Sequence, residues 1–324
     1  MTRISLISLR LLVLLLGALL GRAALAQACC SASNPTEFGV VGPCQHAAIA
    51  TQIGYQSYSG TYDETGKNHK LTGMSPQDAT LLIGGGWRPL RGPVQIQAAL
   101  PLRWQQRAYP TMASQSAVGV GDAAVALRWT ALEDKMTGVL AGEPGMYLPF
   151  LDLAAGVKMP TGRATEDGNP DKAGADVTGD GAWQVTATVR VLKYVTRQHA
   201  FGIGADYSHQ FDRSVPDGNG GKSKFAKGDS LEVRGTWLQL HGMYWSWGAF
   251  ASYLMGADAH QAGVAVPDSA VRHFRVGASV TRVLSLPAWE TTLGVALDPW
   301  WQDGARNVPY VGPSVSLSLR RNFL

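Results

Sequence analysis

Cysteine is scarce in this chain, and the three that it has lie near the N-terminus, at Cys29, Cys30 and Cys44. Disulfides are therefore excluded as the source of stability for the remainder of the chain. In an oxidising compartment one of the vicinal pair can bridge to Cys44, which leaves one thiol over. A thiolate–imidazole metal site with His46, suited to copper or zinc, is the alternative for the same residues.

Long apolar runs are also missing beyond the first 26 residues, where no stretch approaches 18 consecutive apolar residues. Transmembrane helices are thereby excluded, and any insertion into a membrane must use strands. The signatures G-x-S-x-G, H-E-x-x-H and the phosphate loop are absent as well. Ser208 and His209 are adjacent, so a strand would turn them to opposite faces and they could not act as nucleophile and base. We expect neither an enzyme nor a cofactor.

The first 26 residues have the pattern of a secretory signal peptide. Arg3 and Arg10 form a basic start, residues 11–20 are apolar, and small residues at 24–26 suit cleavage. An uncleaved anchor and a lipid attachment at Cys29 are the alternatives. Without Arg3, Arg10 and Arg22 the formal charge falls from +4 to about +1, so we expect no nucleic-acid partner. Residues 27–45 would form a short periplasmic stub that carries the cysteines.

From residue 46 to residue 324 the chain repeats segments of about ten residues in which apolar side chains alternate with polar or small ones. One clear example places Val94, Ile96 and Leu100 on one face and Gln95 and Gln97 on the other. The pattern predicts an all-β fold, a transmembrane antiparallel up-and-down β-barrel of about 12 strands, with 10 or 14 as alternatives. The twelve expected strands lie near 46–58, 78–88, 94–106, 118–130, 146–159, 181–193, 200–211, 229–241, 244–255, 271–283, 289–301 and 309–322.

The connections and the aromatic residues support a barrel in the bacterial outer membrane. Long polar connections mostly alternate with short ones, as external loops alternate with periplasmic turns; residues 131–145 are longer than this rule expects. Tryptophans fall near strand ends, which predicts two interfacial girdles around a lipid-facing surface. A soluble periplasmic β protein is the alternative. The tryptophans concerned are Trp87, Trp104, Trp129, Trp183, Trp237, Trp245, Trp289 and Trp301.

The C-terminal segment resembles the signal by which the barrel-assembly machinery recognises outer-membrane proteins. Val315, Leu317 and Leu319 share a face with Phe323, and the chain ends one residue later at Leu324. Such signals normally end in an aromatic residue, and here Arg321 stands where an aromatic is common. The assembly machinery is therefore an expected partner.

Three short motifs carry a resemblance to a known family. G-x-G-D at residues 119–122 opens one strand, K-x-P-T-G-R at residues 158–163 closes the next, and Gly-Asp-Gly at residues 179–181 opens the one after. This set resembles the phenol-degradation meta-pathway outer-membrane family. The resemblance implies an outer-membrane barrel that moves small hydrophobic or aromatic compounds. From the residues alone, the proline and glycines of these motifs are strand-ending or strand-bending positions.

The lumen is where the function would be located. Its mixed charges predict ion pairs across the lumen. Its aromatic side chains could form an apolar constriction or could simply fill space. We expect a passive channel or transporter for a small solute, hydrophobic or aromatic. A closed structural barrel that binds partners through its external loops is the alternative. The lumen candidates are Asp122, Arg128, Asp152, Lys158, Arg190, Glu232, Arg234, Arg275, Phe150 and Phe250, with Asp206, Glu290, Asp298, Leu148 and Leu254 on the same inward face.

Overall fold

The computed structural model describes residues 39–42, 45–89, 92–109, 112–133, 148–196, 198–216, 221–242, 244–285, 289–299 and 305–323. The leader, all three cysteines, Trp301, Leu324 and most of the 131–145 connection lie outside these residues. The strands in chain order are β1 (Ala47–Ser57), β2 (Gly60–Tyr62), β3 (Asn68–Lys70), β4 (Gln77–Trp87), β5 (Val94–Tyr109), β6 (Met112–Val120), β7 (Ala124–Leu132), β8 (Phe150–Lys158), β9 (Gln184–Tyr194), β10 (His199–Gln210), β11 (Arg213–Pro216), β12 (Lys222–Ala226), β13 (Ser230–His241), β14 (Trp245–Gly256), β15 (His260–Gln261), β16 (Val264–Ala265), β17 (Arg272–Ser285), β18 (Trp289–Leu297), β19 (Val308–Val311) and β20 (Ser314–Phe323).

Within the described residues, twelve antiparallel strands close into a cylinder, with β6 and β7 counted as one interrupted strand. Each strand pairs with its sequence neighbours in the wall. Closure comes from β1 and β20, whose register runs from Ala47 opposite Phe323 to Gln56 opposite Ser314. The predicted all-β, twelve-stranded barrel is confirmed. No helix in the described part of the chain is long and apolar enough to span a membrane.

The wall of the barrel has an apolar outer face and a polar inner face. Along β5, Val94, Ile96 and Leu100 are exposed, whereas Gln95 and Gln97 are each only 1% exposed. Alternation turns successive side chains of a strand to opposite faces, so every strand contributes to both surfaces. A closed cylinder that is apolar outside and polar inside is stable only where hydrocarbon covers the outside. These are the features of a bacterial outer-membrane protein.

The fourth wall strand is interrupted where the sequence suggested a bulge. Leu102–Tyr109 of β5 pair with β6, and Val94–Ala99 of the same strand pair with β7. Residues 121–123 separate the two pieces, and β8 pairs with β7 but not with β6. A Cβ on Gly121 would lie 2.8 Å from the ring of Pro101 and 3.2 Å from the carbonyl oxygen of Thr178, so the crowded break requires glycine.

The two ends of the barrel differ in their connections. Gly39, Phe323 and the strand ends that the short connections join lie at one end, which we call the periplasmic end because outer-membrane barrels keep their short turns there. The end of β7 and the start of β8, which the long 131–145 connection joins, also lie there. Other long connections lie at the opposite, outer end and form small sheets, β19-β2-β3 and β11-β12-β15-β16. The last strand begins later than predicted. Pro313 has no N–H for the ladder, and Gly312 passes the Ser57 carbonyl too closely for a Cβ, so Val308–Val311 leave the wall and pair with β2.

The tryptophans are concentrated at the periplasmic end. Trp183 lies just before β9 at the outer end, and the outer face there also exposes Tyr55, Tyr207 and Phe211. Amphipathic aromatic side chains favour the headgroup level of a membrane. The two aromatic girdles therefore differ in composition: the periplasmic one is richer in tryptophan than the outer one. The tryptophans near the periplasmic ends of their strands are Trp87, Trp129, Trp237, Trp245, Trp247 and Trp289.

Candidate functional site

Two cavities in the lumen are lined by described residues. The larger has a volume of about 480 Å³ and is lined by inward residues of β1, β4, β5, β7, β8, β9, β10, β14, β17, β18 and β20. The smaller has a volume of about 170 Å³ and lies in the periplasmic half of the lumen, where six strands line it: β5, β7, β8, β9, β10 and β13. The larger one is therefore a space enclosed by most of the wall, whereas the smaller one lies to one side of it.

The wall of the larger cavity mixes polar and apolar side chains. Gly54, Gln52 and Gln56 of β1 line it, together with Arg103 and Arg275. Arg275 donates from Nη2 to Ser314 Oγ at 2.6 Å, across from β17 to β20. These inward residues follow from the alternation of each strand, which places every second side chain in the lumen.

A buried carboxylate holds the outer rim of this cavity together. Asp298 is 2% exposed, and its Oδ1 lies 3.0 Å from His273 Nε2 and 3.6 Å from Arg275 Nε. Its Oδ2 accepts from Gln56 Nε2 at 3.1 Å and from the Gly312 N–H at 3.3 Å. Asp298 thus ties β1, β17 and the turn before β20 to one another.

The smaller cavity combines arginines with an apolar wall. Arg128, Arg190 and Arg234 line it on three different strands, and Phe150 and Tyr194 line it with ring centroids 6.4 Å apart. Arg128 is 1% exposed, and its Nη1 lies 3.4 Å from Asp152 Oδ2. We call this cavity the arginine pocket.

The arginine pocket is closed on one side by chain that precedes the first strand. Val41 is 2% exposed and donates its N–H to Gln95 Oε1 at 2.7 Å. Arg320 of β20 donates to the Val40 carbonyl. The sequence placed residues 27–45 in the periplasm as a stub; residues 39–42 lie in the periplasmic half of the lumen.

The two aromatic candidates do not form a single constriction. Phe150 belongs to the arginine pocket, and Phe250 lines the larger cavity. Phe250 meets the pocket at Arg234, whose guanidinium carbon lies 5.5 Å from the centroid of the Phe250 ring. The Arg234–Phe250 stack therefore lies at the boundary between the two cavities. Leu148 is 47% exposed.

The three sequence motifs meet around Asp122. Its carboxylate accepts from the Gly162 N–H at 3.0 Å and from the Asp180 N–H at 2.7 Å. Thr161 Oγ1 donates to the Gly121 carbonyl at 2.7 Å. A second threonine, Thr178, donates from Oγ1 to the Val120 carbonyl at 2.6 Å. The loop of residues 159–183 thus occupies the place beside β6 that a neighbouring strand would otherwise fill.

Charged side chains secure the same loop from outside the membrane-spanning strands. Asp180 lies between Lys158 and Lys227, with its Oδ1 2.5 Å from Lys227 Nζ. Burial raises the pKa of Asp180, but the two ammonium groups outweigh it and hold that pKa below its usual range. The pKa of Asp176 is lowered by the Asn169 N–H, with Arg163 Nη1 2.7 Å from its carboxylate.

The ion pairs expected across the lumen are not found among the described residues. Arg128 and Asp152 are on adjacent strands, and Glu232 and Arg234 are two residues apart on β13, 2.7 Å between Oε1 and Nη2. Neighbouring strands are only about 4.8 Å apart, so a side chain reaches its wall neighbour before it reaches the far side. The ion pairs named here therefore join neighbouring positions of the wall.

Some lining residues were not predicted. Gln95 and Tyr194 have inward positions that alternation specifies, but an amide and a phenol gave no signal of a site. Arg88 follows β4 and pairs with Glu133, with 2.7 Å between Nη2 and Oε1, across a turn whose fold the sequence pattern leaves undefined. Val40 and Val41 precede the first alternating segment, so nothing in the periodicity indicates that they enter the lumen.

The adjacent serine and histidine of β10 point to different faces, as predicted. Ser208 lines the larger cavity. The His209 ring packs edge-on against Phe211, with centroids 5.1 Å apart, and its Nδ1 lies 2.7 Å from Asp229 Oδ1. The two side chains form no nucleophile–base pair.

Comparison with known proteins identifies the fold. No family model matches the chain, and no curated protein matches it. The COG4313 outer membrane channel from Pseudomonas putida F1 superposes with a TM-score of 0.67 at 12% identity, over 90% of this chain and 100% of that one. The β domain of the Bordetella autotransporter BrkA gives 0.48 at 11% identity, over 86% and 100%. The TodX monoaromatic hydrocarbon channel gives 0.45 at 10%, over 90% and 93%. At 12% identity, the superposition on the Pseudomonas putida channel shows a shared barrel fold alone.

Proposed function

We propose that this outer-membrane barrel is a passive channel for a small hydrophobic or aromatic solute. The observation that carries the proposal is the cavity of about 480 Å³, which inward residues of eleven wall strands enclose. A barrel with a purely structural role would gain stability by filling that space, because close packing is the rule in protein interiors.

Two further points support transport of a compound with an apolar part. The Pseudomonas putida barrel that superposes on this chain is an outer membrane channel. In addition, the G-x-G-D, K-x-P-T-G-R and Gly-Asp-Gly motifs resemble the phenol-degradation meta-pathway outer-membrane family, and they meet at one place in the wall. We propose membership of that family, with outer-membrane lipid and the barrel-assembly machinery as further partners.

A matched pair of glycine substitutions tests the channel. Gly54 lines the larger cavity, and a Cβ on it would meet only the Thr80 carbonyl oxygen, at 4.0 Å. Gly235 lies opposite the exposed Ile203, and a Cβ there would meet nothing within 4 Å. Gly54→Phe therefore places a ring in the lumen, and Gly235→Phe places the same ring on the lipid-facing side.

Purified protein in planar lipid bilayers should give discrete openings. We expect Gly54→Phe to lower the single-channel conductance by about twofold or more, because the ring narrows the path. We expect Gly235→Phe to leave it unchanged. An absence of openings in the unmodified protein, together with no solute flux into liposomes, would contradict the proposal and favour a closed barrel that binds partners through its loops.

A further inference from the structure

We infer that the arginine pocket binds a small aromatic monocarboxylate. This inference rests on the proposed channel and names the class of solute that it takes. The pocket lies on the periplasmic side of the larger cavity, and the Arg234–Phe250 stack adjoins both.

The first step in the inference is the state of Arg128. This side chain is 1% exposed and lines the pocket, yet its Nε and Nη2 have no hydrogen-bond partner among the described residues. Its single ion-pair contact, from Nη1 to Asp152, is 3.4 Å long. Buried guanidinium donors are costly when unpaired. A planar carboxylate presents two acceptors in the geometry that this fork requires.

The second step is that the neighbouring carboxylates are already engaged. Asp152 Oδ1 accepts from Thr130 Oγ1 at 2.7 Å, and Asp206 Oδ1 accepts from the Thr188 hydroxyl. Glu133 pairs with Arg88. Arg234 is paired with Glu232, with 2.7 Å between Nη2 and Oε1. The unused donors of Arg128 are therefore what an anionic ligand would satisfy in this pocket.

The third step is a gradient from charge to apolar surface, repeated on two strands. Inward positions of β9 run Arg190, Leu192, Tyr194 towards the periplasmic end, and those of β13 run from Arg234 to Leu238. At about 3.3 Å per residue, the four residue steps from Arg190 to Tyr194 span about 13 Å. A ligand with a carboxylate at one end and an apolar body at the other matches that gradient.

The shape and volume of the apolar end favour one aromatic ring. Phe150 and Tyr194 meet edge-to-face there, and Leu238 packs in the same cluster. The pocket measures about 170 Å³. Apolar cavities of about 150 Å³ are known to hold benzene. One ring with one carboxylate is therefore the size class that fits.

Benzoate, benzyl alcohol and acetate separate the parts of this inference. Each would be titrated by calorimetry into the purified full-length barrel in detergent. We expect benzoate to bind at least about tenfold more tightly than benzyl alcohol, which keeps the ring but lacks the charge, and than acetate, which lacks the ring. Equal affinity for benzoate and acetate, or for benzoate and benzyl alcohol, would overturn the inference.

Arg128→Met tests the residue that carries the argument. It keeps an unbranched apolar chain as far as the position of Nε but removes the guanidinium fork, so benzoate affinity should fall about tenfold or more. Arg103→Met removes the same charge from the larger cavity and should leave benzoate affinity unchanged. An equal loss in both variants would mean that overall lumen charge, and not the pocket, attracts the anion. If Arg128→Met fails to fold, Phe150→Leu provides a second test. It retains Arg128 and should also weaken benzoate binding.

Conductance measured on the same preparations distinguishes this inference from the channel itself. Openings without any benzoate binding would overturn the pocket assignment and leave the channel intact. Benzoate binding without openings would overturn the channel and show a closed barrel with a bound anion. Block of the open channel by benzoate, reduced in Arg128→Met, would support both.

Discussion

At the scale of single residues, inward charged side chains divide into those that support the wall and those that face a cavity. Asp122 has an inward position and touches the larger cavity, yet both of its carboxylate oxygens are used by backbone N–H groups of the 159–183 loop. Arg128 is equally buried but leaves two donors unused among the described residues. Burial alone therefore does not identify a binding residue; the state of each polar atom does.

Asp122→Ala should loosen the 159–183 loop without unfolding the barrel. Two buried N–H groups would lose their acceptor, and each such loss costs about 1–3 kcal/mol. Hydrogen exchange of amides in residues 159–183 should become faster, while amides in β13 and β14 keep their protection. Asp171→Ala, at an exposed position of the same loop, is the control and should change neither set. Unchanged exchange in Asp122→Ala would mean that the other contacts suffice.

The sequence predicts which face a residue occupies better than which partner it meets. Outward Val94 and inward Gln95 follow from a period of two, which needs no knowledge of other strands. The pairing of Asp122 with Gly162 and Asp180 spans 40 and 58 residues, and depends on how a loop folds against a broken strand. The arginine pocket was predicted as separate candidates and not as one site, because its assembly requires the curvature of six strands.

At the scale of elements, the interrupted strand and the 159–183 loop form one unit. The loop supplies hydrogen bonds to the carbonyls of Val120 and Gly121, at the end of β6 and in the break that follows it. Its own carboxylates are held by cations, with Asp180 between Lys158 and Lys227. A charged loop thus takes the structural place of a strand at the outer end of the barrel.

The attachment of this loop should weaken in acid. The pKa of Asp180 is lower in the folded protein than its ordinary value of 3.8. Its stabilising contribution is therefore present above about pH 4 and is lost as the pH falls towards the lowered pKa. Amide protection in residues 159–183, corrected for intrinsic exchange, should drop between about pH 6 and about pH 2. Asp180→Asn should show a smaller drop, because the titrating group is gone; an equal drop would assign the effect to other groups.

At the scale of the whole molecule, the barrel depends on the apolar belt that its outer face presents. Ile53 in the middle of β1 is 59% exposed and faces outward, and Gln52 beside it lines the larger cavity. This reversal of the usual burial pattern is what identifies hydrocarbon as the surrounding medium. It is also the feature that sequence alone captured most completely, because each strand carries it independently.

Ile53→Arg should lower the free energy of unfolding in lipid vesicles by about 2–4 kcal/mol, the cost of an arginine near the bilayer midplane. Gln52→Arg adds the same charge one residue away, inside the lumen, and should change it far less. Urea titration with tryptophan fluorescence would measure both. Similar losses in the two variants would mean that the outer face of β1 does not lie in hydrocarbon.

Residues 39–42 and the residue just before β1 are both fastened to β20, the strand that seals the cylinder. The His46 N–H donates to the Phe323 carbonyl at 2.8 Å, and Arg320 of the final strand donates to the Val40 carbonyl. When the last strand pairs with the first during biogenesis, this stretch of chain is therefore enclosed in the lumen. Closure of the cylinder and narrowing of its periplasmic opening are a single assembly event. A folded domain fused just upstream of this stretch would have to remain outside that opening.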